Sequence, residues 1–157
     1  MHSISHRITG RKIRFSLAGC GRISKNHFEA IKAHSSDCEL VSVCDVDSAI
    51  LEKTAQSLNV KGYRDLGELL SGSQPDVVVL ATPSGLHSQQ AIEIAKAGRH
   101  VLTEKPMATR WQDGLKMVEA CDNAKVHLFV VKQNRLNPTL QLVRKAIDQK
   151  RFGRIFM

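Results

Sequence analysis

Short, nearly unbroken apolar runs recur along the chain, each followed by a stretch with helical periodicity. Runs at 13–18 (IRFSLA), 40–45 (LVSVCD), 76–81 (DVVVLA), 99–103 (RHVLT) and 127–132 (HLFVVK) predict strands, with a weaker one at 60–63. Strands without in–out alternation suit a parallel sheet covered on both faces. The residues from Lys25 to His34 read as a helix, and further helices carry start signals: Asp65 with Glu68, Thr109 with Gln112, and Asn137 before Pro138 at the first helical position. Trp111 and Met117 fall on one of these helices and are expected in its core face. Alternation of this kind predicts a doubly wound α/β sheet, the Rossmann arrangement.

The same pattern sets the expected boundaries. Residues 1–12 are polar and basic and form a flexible N-terminus, 13–136 hold the sheet, and 137–157 form a helix and the first strand of a further domain that the chain does not contain. Gly72–Pro75 reads as a sharp loop before a strand. Arg151–Arg154 breaks the last helix, and Ile155–Met157 begins the extra strand. At 157 residues there is room for one domain with a full core. No apolar run approaches the roughly 20 residues of a membrane span, and the N-terminus lacks a signal-peptide core, so a cytoplasmic protein without membrane partners is expected.

Charge changes this picture little. The net charge is +8, but residues 1–14 carry +4, residues 125–157 carry +7, and the body between them carries −3. A terminal excess without stacking aromatics or a groove-reading helix points to solubility or an anionic substrate rather than to nucleic acid. Cys20, Cys38, Cys44 and Cys121 show no C-x-x-C spacing and read as reduced, small apolar residues. No metal site is expected.

Between the first run and the first helix lies Gly19-Cys20-Gly21-Arg22-Ile23-Ser24, and Asp45 ends the next run. A glycine turn lets backbone N–H groups approach a pyrophosphate, the helix N-terminus favours its charge, and a carboxylate one strand later can take both ribose hydroxyls. Paired glycines also mark ordinary turns, and Asp45 could be a helix cap; the strand, helix and acid in sequence are what favour a dinucleotide. Ser24 is small enough for the position usually held by a third glycine and can also cap the helix. Gly19, Gly21, Arg22, Ile23 and Asp45 are therefore candidate cofactor contacts. Asp45 and Asp47, without a nearby basic residue, favour NAD over NADP.

In a doubly wound sheet ligands bind beyond the carboxyl ends of the strands. Thr82, Pro83, Ser84 and His87 follow the third long run, Glu104-Lys105-Pro106 the fourth, and Gln133-Asn134-Arg135 the last. Lys105, held by a following proline, could polarise a hydroxyl or carbonyl as it changes oxidation state, or be a surface lysine paired with a carboxylate. His87 could touch the cofactor or brace its loop. Arg135 could clamp a carboxylate or phosphate, or complete a loop.

With Gly19-Cys20-Gly21, Thr82-Pro83-Ser84 before His87, and above all Glu104-Lys105-Pro106 in order, the chain resembles the glucose-fructose oxidoreductase/inositol dehydrogenase (Gfo/Idh/MocA) family over about residues 12–157. The resemblance implies an NAD(P)-binding Rossmann domain of an oxidoreductase acting on a sugar or cyclitol hydroxyl, with Lys105 contacting that hydroxyl and the nicotinamide ribose. It adds Glu104 and Gln133, with Thr82, Pro83, Ser84 and His87, to the expected cofactor contacts, and Asn134 and Arg135 to the substrate side. Val131–Arg135 with Asn137-Pro138-Thr139 is similar to one branch, bacterial dehydrogenases that oxidise the 3-hydroxyl of UDP-N-acetylglucosaminuronic acid in lipopolysaccharide O-antigen synthesis. Such enzymes hold NAD tightly, recycle it with 2-oxoglutarate, and are expected to be homo-oligomers. Family members continue into a C-terminal α/β domain carrying a catalytic histidine, to which no residue here maps; the chain alone is expected to bind cofactor without turnover. A non-catalytic NAD-binding module is the main alternative, and a basic nucleic-acid binder the weaker one.

Overall fold

The computed structural model describes residues 8–156. Its six strands are β1 (Ile13–Ala18), β2 (Cys38–Cys44), β3 (Lys61–Tyr63), β4 (Val77–Leu80), β5 (His100–Thr103) and β6 (Leu128–Val130). They form one sheet in the order β3-β2-β1-β4-β5-β6, with every neighbouring pair parallel. The helices are α1 (Ser24–Ala33), α2 (Ser48–Leu58), α3 (Leu66–Ser73), α4 (His87–Lys96), α5 (Trp111–Asn123) and α6 (Pro138–Asp148), with short 3₁₀ turns at Ser84–Leu86 and Gln133–Leu136. This is the doubly wound sheet that the apolar pattern predicts.

Strand order reverses between β1 and β4, and right-handed crossovers then place α1 and α2 on one face and α3, α4 and α5 on the other. The larger apolar cluster joins Leu66 and Leu69 of α3, Ile94 of α4 and Met117 of α5 to Val78, Leu80 and Val101 of the sheet. A smaller cluster on the α1–α2 face gathers Cys20, Val43 and Leu51, with Phe28 packed against them. Coverage of both faces therefore holds for β1 to β3 but not for β5 and β6, where Leu102 is half-buried and Phe129 is 46% exposed on the α1 side.

Local chemistry explains most boundaries. The Asp65 carboxylate accepts from the Glu68 amide at 2.8 Å and starts α3, and Asn137 accepts from the Thr139 amide at 3.0 Å, with Pro138 opening α6. Asp47, not Asp45, caps α2 by accepting from the Ile50 amide at 3.0 Å.

Other expectations are corrected. Thr109 does not cap α5, whose flanking residue is Arg110, and Trp111 is 77% exposed because it opens the helix before the apolar face reaches the sheet, whereas Met117 is fully buried. Gly72 and Ser73 belong to α3, so the turn before β4 shrinks to the left-handed Gln74 and Pro75. The last helix ends at Asp148, before Arg151–Arg154. Ile155 and Phe156 form no strand and pair with none of the six; Met157 lies outside the described residues. Residues 1–7 of the basic N-terminus lie there too, while Arg11, expected to be flexible, pairs with Asp76 through two hydrogen bonds of 2.6 and 2.7 Å.

The carboxyl edge and its cleft

Backbone ladder bonds continue one residue past β1, β2, β4, β5 and β6 at the carboxyl edge. The Gly19 amide donates to Cys44, Asp45 to Tyr63, Ala81 to Ala18, Glu104 to Leu80 and Val131 to Thr103, all between 2.8 and 3.2 Å. Parallel pairing thus brings the predicted polar strand ends level with one another.

At the first, Gly19 adopts φ +93°, and a Cβ there would lie 2.7 Å from the carbonyl carbon of Ala81, so only glycine fits. A Cβ on Gly21 would meet nothing within 4 Å, leaving open space in front of α1. That helix starts without a side-chain cap and without an acid in its first turn; Ser24 is buried and donates to the Gly21 carbonyl at 2.6 Å instead of capping. Uncapped helix amides, open space and no acid in the helix's first turn fit a pyrophosphate.

Asp45 is half-buried, and its two oxygens accept from the Cys20 amide at 2.7 Å and the Asp47 amide at 2.9 Å. Each oxygen keeps acceptor capacity for a ribose hydroxyl. Cys20 and Cys44 beside it are free thiols whose burial pushes them up to about 11 and about 12, so both are neutral at physiological pH.

A cleft of about 690 Å³ opens between α1 and the ends of β4, β5 and β6. Arg22, Ile23, Thr82, Ser84, Glu104, Lys105 and Gln133 reach it, over an apolar wall that includes Phe15, Ile31 and Leu102. Pro83 opens the turn Ser84–Leu86 and is exposed; Asn134 and Arg135 lie exposed in the turn Gln133–Leu136, just outside the cleft wall. The His87 ring is fully buried at the cleft floor, with Nε2 2.9 Å from the Thr82 carbonyl and Nδ1 3.0 Å from the Pro106 carbonyl, and so ties two strand-end loops together. The Lys105–Pro106 bond is cis. Among the described residues the Lys105 ammonium has no hydrogen-bond or ion-pair partner, which sets aside the paired surface lysine.

The sequence reading missed His27, whose Nε2 lies 2.9 Å from Glu104 Oε1 across the cleft. Only its place one turn into the cofactor helix hinted at a role; the partner lies 77 residues away. The apolar wall was likewise hidden, with Phe15 and Leu102 inside runs read simply as strands and Ile31 inside a helical stretch.

Among the described residues no cluster of histidine, cysteine and carboxylate side chains could hold a metal ion, and no helix is long and apolar enough to cross a membrane. Comparison with known proteins fits the geometry. The chain is 59% identical to the WlbA dehydrogenase from Bordetella pertussis, solved with NADH and UDP-GlcNAcA, with a TM-score of 0.92 over 96% of this chain and 44% of that one. It is 57% identical to the WlbA dehydrogenase from Chromobacterium violaceum, solved with the same two ligands, with a TM-score of 0.91 and the same coverage. A D-apiose dehydrogenase from Paraburkholderia graminis is 34% identical over 94% of this chain and 40% of its own length. The chain thus spans less than half the length of these relatives. The model of the oxidoreductase family with an NAD-binding Rossmann fold matches residues 13–132, and the chain belongs to that family, Gfo/Idh/MocA.

Proposed function

We propose that this chain is the cofactor-binding half of an NAD-dependent dehydrogenase that oxidises the 3-hydroxyl of UDP-N-acetylglucosaminuronic acid. The observation that carries the reading is the 57–59% identity to two dehydrogenases solved with NADH and that nucleotide sugar. The unpaired Lys105 at the cleft mouth supports it.

The turn from Gly19 to Ile23 would hold the pyrophosphate on α1, Asp45 the adenosine ribose, and Thr82, Pro83, Ser84, His87, Glu104 and Gln133 the walls of the nicotinamide end. NAD, when bound, supplies the hydride acceptor. Lys105 offers an N–H donor and a positive charge to the sugar hydroxyl, favouring alkoxide as the carbon is oxidised. Asn134 and Arg135, outside the cleft wall, would face the sugar and its carboxylate. Recycling of the cofactor by 2-oxoglutarate, assembly into a homo-oligomer and a cytoplasmic location belong to the same reading and rest on likeness to the branch.

The test has two arms. This chain should bind NADH saturably and more tightly than NADPH, followed by nicotinamide fluorescence. Joined to a substrate domain, it should reduce NAD with UDP-N-acetylglucosaminuronic acid and leave myo-inositol untouched. Turnover of inositol alone would move the chain to another branch, and NADH binding with turnover of neither would favour the non-catalytic module.

A further inference from the structure

The Glu104 carboxylate sits directly beside the one lysine that the proposed reaction needs. It is nine-tenths buried, and a buried carboxylate must find partners. The nearest cation in sequence is Lys105, and an ion pair between the two would occupy the ammonium. The structure shows a different arrangement. Oε1 faces His27 Nε2 at 2.9 Å, and Oε2 accepts from the Lys105 backbone amide at 3.2 Å. Both side chains of the His27–Glu104 pair are shielded, at 12% and 11% exposure. Opposite an ionised carboxylate, Nε2 carries the proton and donates.

We infer that His27 is a positioning residue, which holds Glu104 against the cofactor helix and so keeps the Lys105 ammonium free. The inference rests on the proposed role of Lys105. His27 is carried one turn into α1, the helix whose start fits the pyrophosphate, so one rigid element orients both the cofactor and the Glu104-Lys105-Pro106 loop. With one oxygen on the ring and the other on a backbone amide, the carboxylate fixes the loop, and each of its oxygens has a partner other than the Lys105 ammonium. Removing the ring leaves a buried charge with a single partner, and the adjacent ammonium is then its available cation.

The experiment measures the reactivity of Lys105 in this chain, by competitive labelling with an amine-reactive ester and mass spectrometry, against Lys116 as an exposed reference. In His27→Ala, capture of the ammonium by Glu104 should slow labelling of Lys105 by about two- to fivefold, the change that a partly exposed ion pair produces. His27→Gln, whose amide can donate from a similar position, should restore the rate, and so should Glu104→Gln placed on His27→Ala. A merely structural histidine gives the opposite sign, since loosening exposes every lysine. An unchanged Lys105 rate, or a rise at all lysines, would overturn the inference. NADH titration of the same samples separates the two readings: failure of the unmodified chain to bind NADH would sink the proposed function while leaving the labelling result to decide the role of His27.

Discussion

On the face covered by α3, α4 and α5, Leu69, Ile94 and Met117 are fully buried, whereas across the sheet the α1 side of β5 and β6 leaves Leu102 half-buried and Phe129 46% exposed. Register makes the contrast sharp. Val79 pairs with Leu102 and Leu102 with Phe129, so these side chains share one face, while their sequence neighbours Val78 and Val101 turn into the closed core. Both sets of positions are equally apolar. What differs is the helix supply: the crossovers between β1 and β3 put only α1 and α2 on the open side, and the cleft beside α1 occupies the remainder. One face is built for stability and the other for contact.

The strongest way to break this comparison is to truncate one residue on each face. Ile94→Ala should cost about 2–5 kcal/mol, as expected of a fully buried aliphatic side chain. Leu102→Ala should cost about 1 kcal/mol, because the atoms removed already meet the cleft. Urea denaturation measures both, and equal losses would show that the open face is packed after all.

At the carboxyl edge, Lys105→Ala in an enzyme extended by a substrate domain should lower turnover by about 10²-fold while NADH still binds, the signature of a group acting on the reacting hydroxyl. A normal kcat would return Lys105 to a loop lysine and leave the open face as a cofactor surface alone. Asp45→Ala should weaken NAD binding by about 1.5–3 kcal/mol, the range for hydrogen bonds to a charged group. Because Asp45 also accepts from the Cys20 and Asp47 amides, part of that loss reflects a looser glycine turn. The ratio of NADH to NADPH affinity, read by fluorescence titration, isolates the ribose term: it should fall in the variant.

The fold was legible because strand identity depends on short apolar runs, and all six were found to within two residues at each end. Caps made by short-range side chains were legible for the same reason, at Asp65 and Asn137. Thr109 failed because the pattern that suggested it, a hydroxyl three residues before a glutamine, says nothing about where the apolar face meets the sheet, and Trp111 was misplaced with it. For the site, the row of polar strand ends followed from topology alone. The role of each residue within that row did not, since His27 with Glu104, and His87 with Thr82 and Pro106, are paired by tertiary contact. Nor could periodicity reveal an uncovered face, because open and closed faces carry the same residue types.

The smallest expected effect lies at the opposite edge of the sheet and tests whether the two edges are independent. Asp76, just before β4, accepts two hydrogen bonds from the Arg11 guanidinium and one from the Arg14 amide at 2.8 Å. The Arg11 hydrogen bond, opposed in part by burial, holds its carboxyl below the ordinary 3.8. A carboxyl that binds its proton less readily when folded stabilises the fold above its unfolded value, and that contribution is lost as pH falls below 3.8 toward the folded value. Arg11→Ala should therefore raise the midpoint of acid unfolding, followed by far-ultraviolet circular dichroism. The shift should be small and should shrink in high salt, since the Arg11 side chain is 51% exposed and its charge is screened. NADH affinity at neutral pH should not change, because Asp76 sits at the amino end of β4 and the cleft at its carboxyl end. A fall in affinity would mean that the N-terminal strap sets the geometry of β1 as far as the glycine turn, and the edges would then have to be treated as one unit.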